Sequence, residues 1–128
     1  MYCVRVRDSI MIAHSLNHTF FGPAQGLHGA TYVVDAEFQS SNLTPLKVVL
    51  DISKAKSVLS DVLSQLNYRN LDDLCQFDGQ LTTTEFMAKY IHDELKNQLA
   101  ETFDGSIKVT LGETHDAWAS YQGQGKQY

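Results

Sequence analysis

Apolar and polar positions along the chain change period twice. Residues 3–13 alternate and then turn apolar through Ser9-Ile10-Met11-Ile12-Ala13, the pattern of a strand entering a core. A second alternating run, Tyr32-Val33-Val34-Asp35-Ala36-Glu37-Phe38, predicts another long strand, closed by the turn-like Ser40-Ser41-Asn42. Between the two, residues 15–27 hold Asn17, Gly22, Pro23 and Gly26 and read as a loop. A short strand, Val48-Val49-Leu50, leads to Asp51 as an N-cap. The period then becomes helical. Ala55, Val58, Leu59, Val62, Leu63 and Leu66 share one face, and a loop with Asp72, Asp73, Asp78 and Gly79 follows. A second helix is expected to open on the capping box Thr82-x-x-Glu85 and to bury Met87, Ala88, Ile91, Leu95 and Leu99. After Asp104-Gly105, strands are expected over residues 107–111 and 117–121, with a polar, disordered tail over 122–128.

That order, ββααββ, predicts one α+β domain over residues 1–121. Four antiparallel strands would carry both helices on one face. The other face and both edges are left over, and open edges invite pairing with another chain. Phe20, Phe21, Trp118 and Tyr121 then have two readings, as contacts between subunits or as parts of the subunit's own core.

Composition narrows the function classes. A chain of 128 residues suits a single domain. Its net charge of −5 and ten dispersed Lys and Arg residues argue against nucleic acid, which is bound through clustered cations. No apolar run approaches the roughly 20 residues that span a bilayer. Met1-Tyr2-Cys3-Val4-Arg5-Val6-Arg7 alternates and carries charge, so it reads as a strand and not as a signal peptide. Cys3 and Cys75 have no metal or redox spacing, and a reducing cytoplasm is the simplest setting.

One constellation suggests chemistry. His14 ends the first strand, and His28 and Ala30 sit two apart at the start of the next, so their side chains should leave one face of the sheet. Histidine at position 30 would complete a three-nitrogen, open zinc site. Alanine cannot bind metal.

In six ordered motifs the chain resembles the 6-pyruvoyltetrahydropterin and 6-carboxytetrahydropterin synthase family, from about Ile10 to Tyr121. They are Ala13-His14; Leu27-His28-Gly29-Ala30-Thr31-Tyr32, where the family reads His-Gly-His; Val49-Leu50-Asp51-Ile52; Leu66-Asn67-Tyr68, where it has Leu-Asp-His; Thr82-Thr83-Thr84-Glu85; and Gly112-Glu113-Thr114 followed by Trp118 and Tyr121. The resemblance implies the tunnelling fold, in which sheet edges pair into a trimeric barrel and two trimers stack into a hexamer. It also implies zinc on three histidines, of which His14 and His28 remain. With two ligands zinc is expected to be weak or absent, unless His18, His115, Asp116 or another chain restores the count.

The family's catalytic cysteine matches Ala24 in one spacing and Gly22 in another, and neither takes a proton. Its Asp-His pair is replaced by Asn67 and Tyr68. Asn67 cannot ionise, and a tyrosine titrating near 10 is a poor proton shuttle at neutral pH. The ring-binding glutamate, by contrast, matches Glu113, with Thr83 and Thr84 beside it. The expectation is a diverged, noncatalytic member that binds a pterin-like or purine-like heterocycle between subunits of a homo-oligomer, without nucleic acid or membrane. Two alternatives stand beside it: an active lyase recruiting Tyr68, His115 or Asp116, and an oligomeric scaffold without a ligand.

Overall fold

The computed structural model describes residues 1–124 and joins five strands in one sheet of order β3-β1-β2-β4-β5. The strands are β1 (Tyr2–His14), β2 (His28–Ser40), β3 (Arg69–Asn70), β4 (Ser106–Thr114) and β5 (Ala117–Gln124). The helices are α1 (Ile52–Ser64) and α2 (Thr84–Gln98). The long strands are antiparallel to their neighbours, and only the two-residue β3 lies parallel, against Ile12 and Ala13 of β1.

The fold follows from the alternation in the strands. In β1, Val6, Ile10, Ile12 and His14 are buried; in β2, Tyr32, Val34, Ala36 and Phe38; in β4, Ile107, Val109 and Leu111. These side chains share the face covered by the helices. Helix α1 packs over β1, with Ala55, Val58, Leu59, Val62 and Leu63 buried. Helix α2 packs over β4 and β5, with Met87, Ala88, Ile91 and Leu95 buried. Asp51 caps α1, its carboxylate accepting from the Ser53 N–H at 2.9 Å. The opposite face is polar. There Asp35 accepts from Arg5 Nη2 at 2.7 Å and from Arg7 Nε at 2.7 Å, and these bonds, Arg7's foremost, hold its carboxyl below the usual range.

Four local expectations need correction. The sheet has a fifth strand, β3, too short to carry a period. Val48-Val49-Leu50 is not a strand. Its segment closes on itself through Thr44 N–H to Val48 O and Lys47 N–H to Thr44 O, while Val49 and Leu50 are still buried. The N-cap of α2 is Thr83, accepting from the Phe86 N–H at 3.1 Å, and not Thr82, so the capping box does not form. Finally, β5 continues to Gln124, which takes residues 122–124 out of the expected tail; residues 125–128 lie outside those described.

Among the aromatics with two readings, Tyr121 packs against the core and meets the His92 ring at 4.7 Å, whereas Phe20 and Trp118 are exposed. Phe20 and Phe21 contact each other edge to face at 5.2 Å. Among the described residues no helix is long and apolar enough to cross a membrane.

Candidate functional site

The β1–β2 ladder builds the histidine end. All thirteen residues of β1 pair with β2, and the last pair is His14 opposite His28. Their rings meet edge to face with centroids 4.6 Å apart. His14 is 3% exposed, and its Nδ1 lies 3.0 Å from the buried Thr82 hydroxyl. Burial, then the neighbouring His28, pushes the His14 imidazole below its ordinary value, with Asp72 and Glu113 partly opposing. His28 Nδ1 lies 2.8 Å from the Gly26 carbonyl. A carbonyl only accepts, so this nitrogen carries the hydrogen and Nε2 is left with a lone pair in the neutral ring. That arrangement suits a metal ligand. Ala30 pairs with Ile12 and packs against the core on the same face, where it adds no donor.

Among the described residues no group of three His, Cys, Asp or Glu side chains is placed to hold a metal ion. Two imidazoles fall short of the three protein ligands of a catalytic zinc. The donor set does not fit the ion.

Residues 67 and 68 fasten the edge of β1. Asn67 Oδ1 accepts from the Met11 N–H at 3.0 Å, and the Tyr68 N–H donates to Met11 O at 2.7 Å. Tyr68 has φ of 60°, a strained value for a residue with a side chain, and its phenol is exposed. In the connector, short 3-10 turns span Thr19–Gln25 and kink at Gly22, whose φ of 54° suits glycine. Ala24 holds the connector through its carbonyl, which accepts from the Leu16 N–H at 3.0 Å. The exposed His18 takes the Phe20 N–H on its Nδ1 at 3.0 Å.

The glutamate end is assembled differently. Thr84, the first residue of α2, donates from its hydroxyl to Glu113 Oε2 at 3.3 Å. Both line a cavity of about 290 Å³ with Glu85, Trp118 and Ser120. Glu113 sits in a bulge, because Gly112 pairs with Trp118 and Thr114 with Ala117, which leaves Glu113 as the extra residue on β4. His115 lines a separate cavity of about 430 Å³ with Arg7 and Thr31, and Asp116 accepts from the Thr114 hydroxyl at 2.7 Å.

Three features escape sequence reasoning. The run Thr82-Thr83-Thr84 divides its hydroxyls between His14, the helix cap and Glu113, so it links the two ends. Tyr32 is fully buried and its hydroxyl makes no hydrogen bond of full geometry; Thr84 is its polar neighbour, and burial first, then the Glu113 and Glu85 charges, raise its phenol. Trp118 stands beside Glu113. Three threonines in a row before a helix were the one available signal, and they read equally well as capping.

Comparison with known proteins gives consistent matches. The family model for 6-pyruvoyl tetrahydropterin synthase matches residues 3–124. A Caenorhabditis elegans protein named as a candidate 6-pyruvoyl tetrahydrobiopterin synthase is 30% identical, with 91% of each chain covered. The solved structure of a Caenorhabditis elegans 6-pyruvoyl tetrahydropterin synthase superposes with a TM-score of 0.83 at 28% identity, covering 95% of both chains. That of the Plasmodium vivax 6-pyruvoyl tetrahydropterin synthase superposes at 0.77 and 18% identity, covering 97% of this chain and 99% of that one, a likeness of fold.

Proposed function

The chain belongs to the 6-pyruvoyl tetrahydropterin synthase family, with its tunnelling fold, and on that premise we propose that it binds a pterin-like or purine-like heterocycle through Glu113 and has lost the family's lyase reaction. The observation that carries this reading is the Thr84–Glu113 contact at the mouth of a cavity. A carboxylate that receives a hydroxyl on one oxygen keeps acceptor capacity for a ligand with two adjacent N–H donors, and such charge-assisted pairs supply both geometry and affinity. The reaction positions point the other way. Ala24 and Ala30 carry no titratable or ligating group, and the Asn67 side chain is occupied in fastening Met11. Thr83 is committed to capping α2 and has its own hydroxyl hydrogen left to donate.

The assembly belongs to the same proposal. Strand β5 is one edge of the sheet, and β1 is paired on its outer side only at Ile12 and Ala13. Edge pairing would give trimers, and two trimers a hexamer, with the Glu113 cavity near a boundary between copies. Light scattering at micromolar concentration should give the mass of a hexamer; a stable monomer removes the interfacial part of the reading.

The deciding experiment is an assay with dihydroneopterin triphosphate, following both the pyruvoyl and the carboxy products. Each general acid–base group supplies about 10²–10⁴-fold, so the loss of several should leave turnover at background. Turnover at an ordinary enzyme rate would replace this reading with a lyase that recruits Tyr68, His115 or Asp116. Mass spectrometry of what the pure protein releases on denaturation would identify the ligand. If no heterocycle is released and none binds at millimolar concentration, the scaffold reading takes its place.

A further inference from the structure

We propose that Trp118 is the stacking wall of the Glu113 pocket, so that the site selects flat aromatic heterocycles over other molecules with the same pair of donors. This rests on the heterocycle reading of Glu113 and adds a second, independent determinant to it.

The bulge sets the two residues side by side across β4 and β5. Strands β4 and β5 pair in register up to Gly112 opposite Trp118, and the extra residue that follows is Glu113. A bulge turns a strand and re-aims the side chain at the extra position. As a result, Glu113 and Trp118 are the two residues shared by the cavity beside Thr84 and the cavity beside Arg7. Glu113 and Trp118 thus stand at one junction between the two cavities.

The indole is held along one side and open elsewhere. A Cβ built on Gly112 would lie 3.3 Å from Trp118 Cδ1, 3.5 Å from its Nε1 and 3.7 Å from Val33 Cβ. The absence of a side chain at Gly112 is what lets the indole lie against the β4 backbone. Trp118 nonetheless remains 65% exposed. An indole braced by backbone along one side and open over most of its surface is a platform for another ring. Offset stacking supplies attraction beyond the area it buries, and it tolerates any flat π-system. Glu113 would then fix the ring's edge and Trp118 its plane.

Trp118 is the chain's single tryptophan, so its emission reports on this site alone. The test titrates guanosine, and separately guanidinium, into the full-length protein, by fluorescence and by calorimetry. Guanosine should quench the emission saturably. Trp118→Leu should weaken guanosine binding about tenfold, the scale of one base stacked on an aromatic side chain, while Trp118→Phe keeps most of the affinity. Guanidinium offers the donors without an aromatic heterocycle and should bind Trp118→Leu and the unmodified protein alike, whereas Glu113→Gln should weaken both ligands. Equal guanosine affinity in Trp118→Leu and unmodified protein would overturn the stacking role and leave the Glu113 reading standing. A change of assembly mass in Trp118→Leu, with Trp118→Phe binding no better than Leu, would assign the side chain to a subunit contact instead. Failure of guanosine and neopterin to bind the unmodified protein at all would remove both readings together.

Discussion

At the histidine end, each contact follows from an unbroken ladder: His14 faces His28 because residue follows residue in register, and the rings are closed in by Thr82 and the Gly26 carbonyl. At the glutamate end, the ladder breaks, and a bulge, a helix start and a glycine place Glu113 among Thr84 and Trp118 in the open. The buried end is ordered but lacks a donor at Ala30. The open end is irregular and brings the Thr84 hydroxyl onto the Glu113 carboxylate. Order and polar exposure have parted here: the better-packed half has its imidazole buried, and the irregular half leaves its carboxylate exposed.

The sharpest way to break that contrast is to restore the missing donor. Ala30→His should raise zinc in protein purified without chelator from well under one per chain towards one, because the third imidazole would enter a frame already holding two. Metal analysis reads this directly, and stoichiometric zinc in the unmodified protein would mean that another residue, His115 first, supplies the third ligand. Next in size, Glu113→Gln should lower affinity for guanosine or neopterin at least tenfold, on the scale of about 1.5–3 kcal/mol for hydrogen bonds to a charged group. An exposed side chain holds up little of the fold, so the melting temperature should barely move.

The mirror image is Thr82→Val. It strips a buried imidazole of its partner and should cost about 1–3 kcal/mol in denaturant titrations, while heterocycle affinity shifts by less than about twofold, as for independent sites. A large loss of binding in this variant would show that the threonine run couples the two ends. The smallest effect is a pH dependence. Folding holds His14 below its ordinary value of 6.5, so the unfolded chain takes up its proton first as pH falls. The stability contributed by the neutral ring is complete above 6.5 and is lost below it. Melts at about pH 7.5 and about pH 5.5 should therefore differ more for the unmodified protein than for His14→Gln. Asp35 does not confuse the result. Its carboxyl is held below 3.8, so the stability it adds is lost only as pH falls beneath that value.

Much of this was legible in residue order. Alternation in β1 and β2 marked both the strands and the buried face, and the i, i+3, i+4 series marked α1 down to its Asp51 cap. What failed, failed for lack of period. Two residues, Arg69 and Asn70, cannot alternate visibly, and three apolar residues at Val48-Val49-Leu50 look the same whether they pair with a strand or tuck under a turn. Thr82, Thr83 and Thr84 are equivalent caps in a string of letters, and the contact of Thr82 with His14, distant in sequence, is invisible there. Glu113 stood out by family likeness, but its bulge and its closeness to Trp118 depend on how β5 slips against β4, which no single strand's pattern records.

The pairing of His14 with His28 as the final rung of the ladder also bears on how such a protein diverges. The separation of the rings is set by strand register, so much of residues 15–27 between them can change as long as the Gly26 carbonyl on His28 and the buried Leu16 are kept. The glycine at 22 and alanine at 24 are small residues without a titratable group in that connector. A slip of one rung would instead turn the ring of whichever strand shifted to the face of Arg5 and Arg7 and separate it from its partner. Selection for a stable sheet alone would thus preserve the pairing of the two rings, whatever chemistry the chain performs.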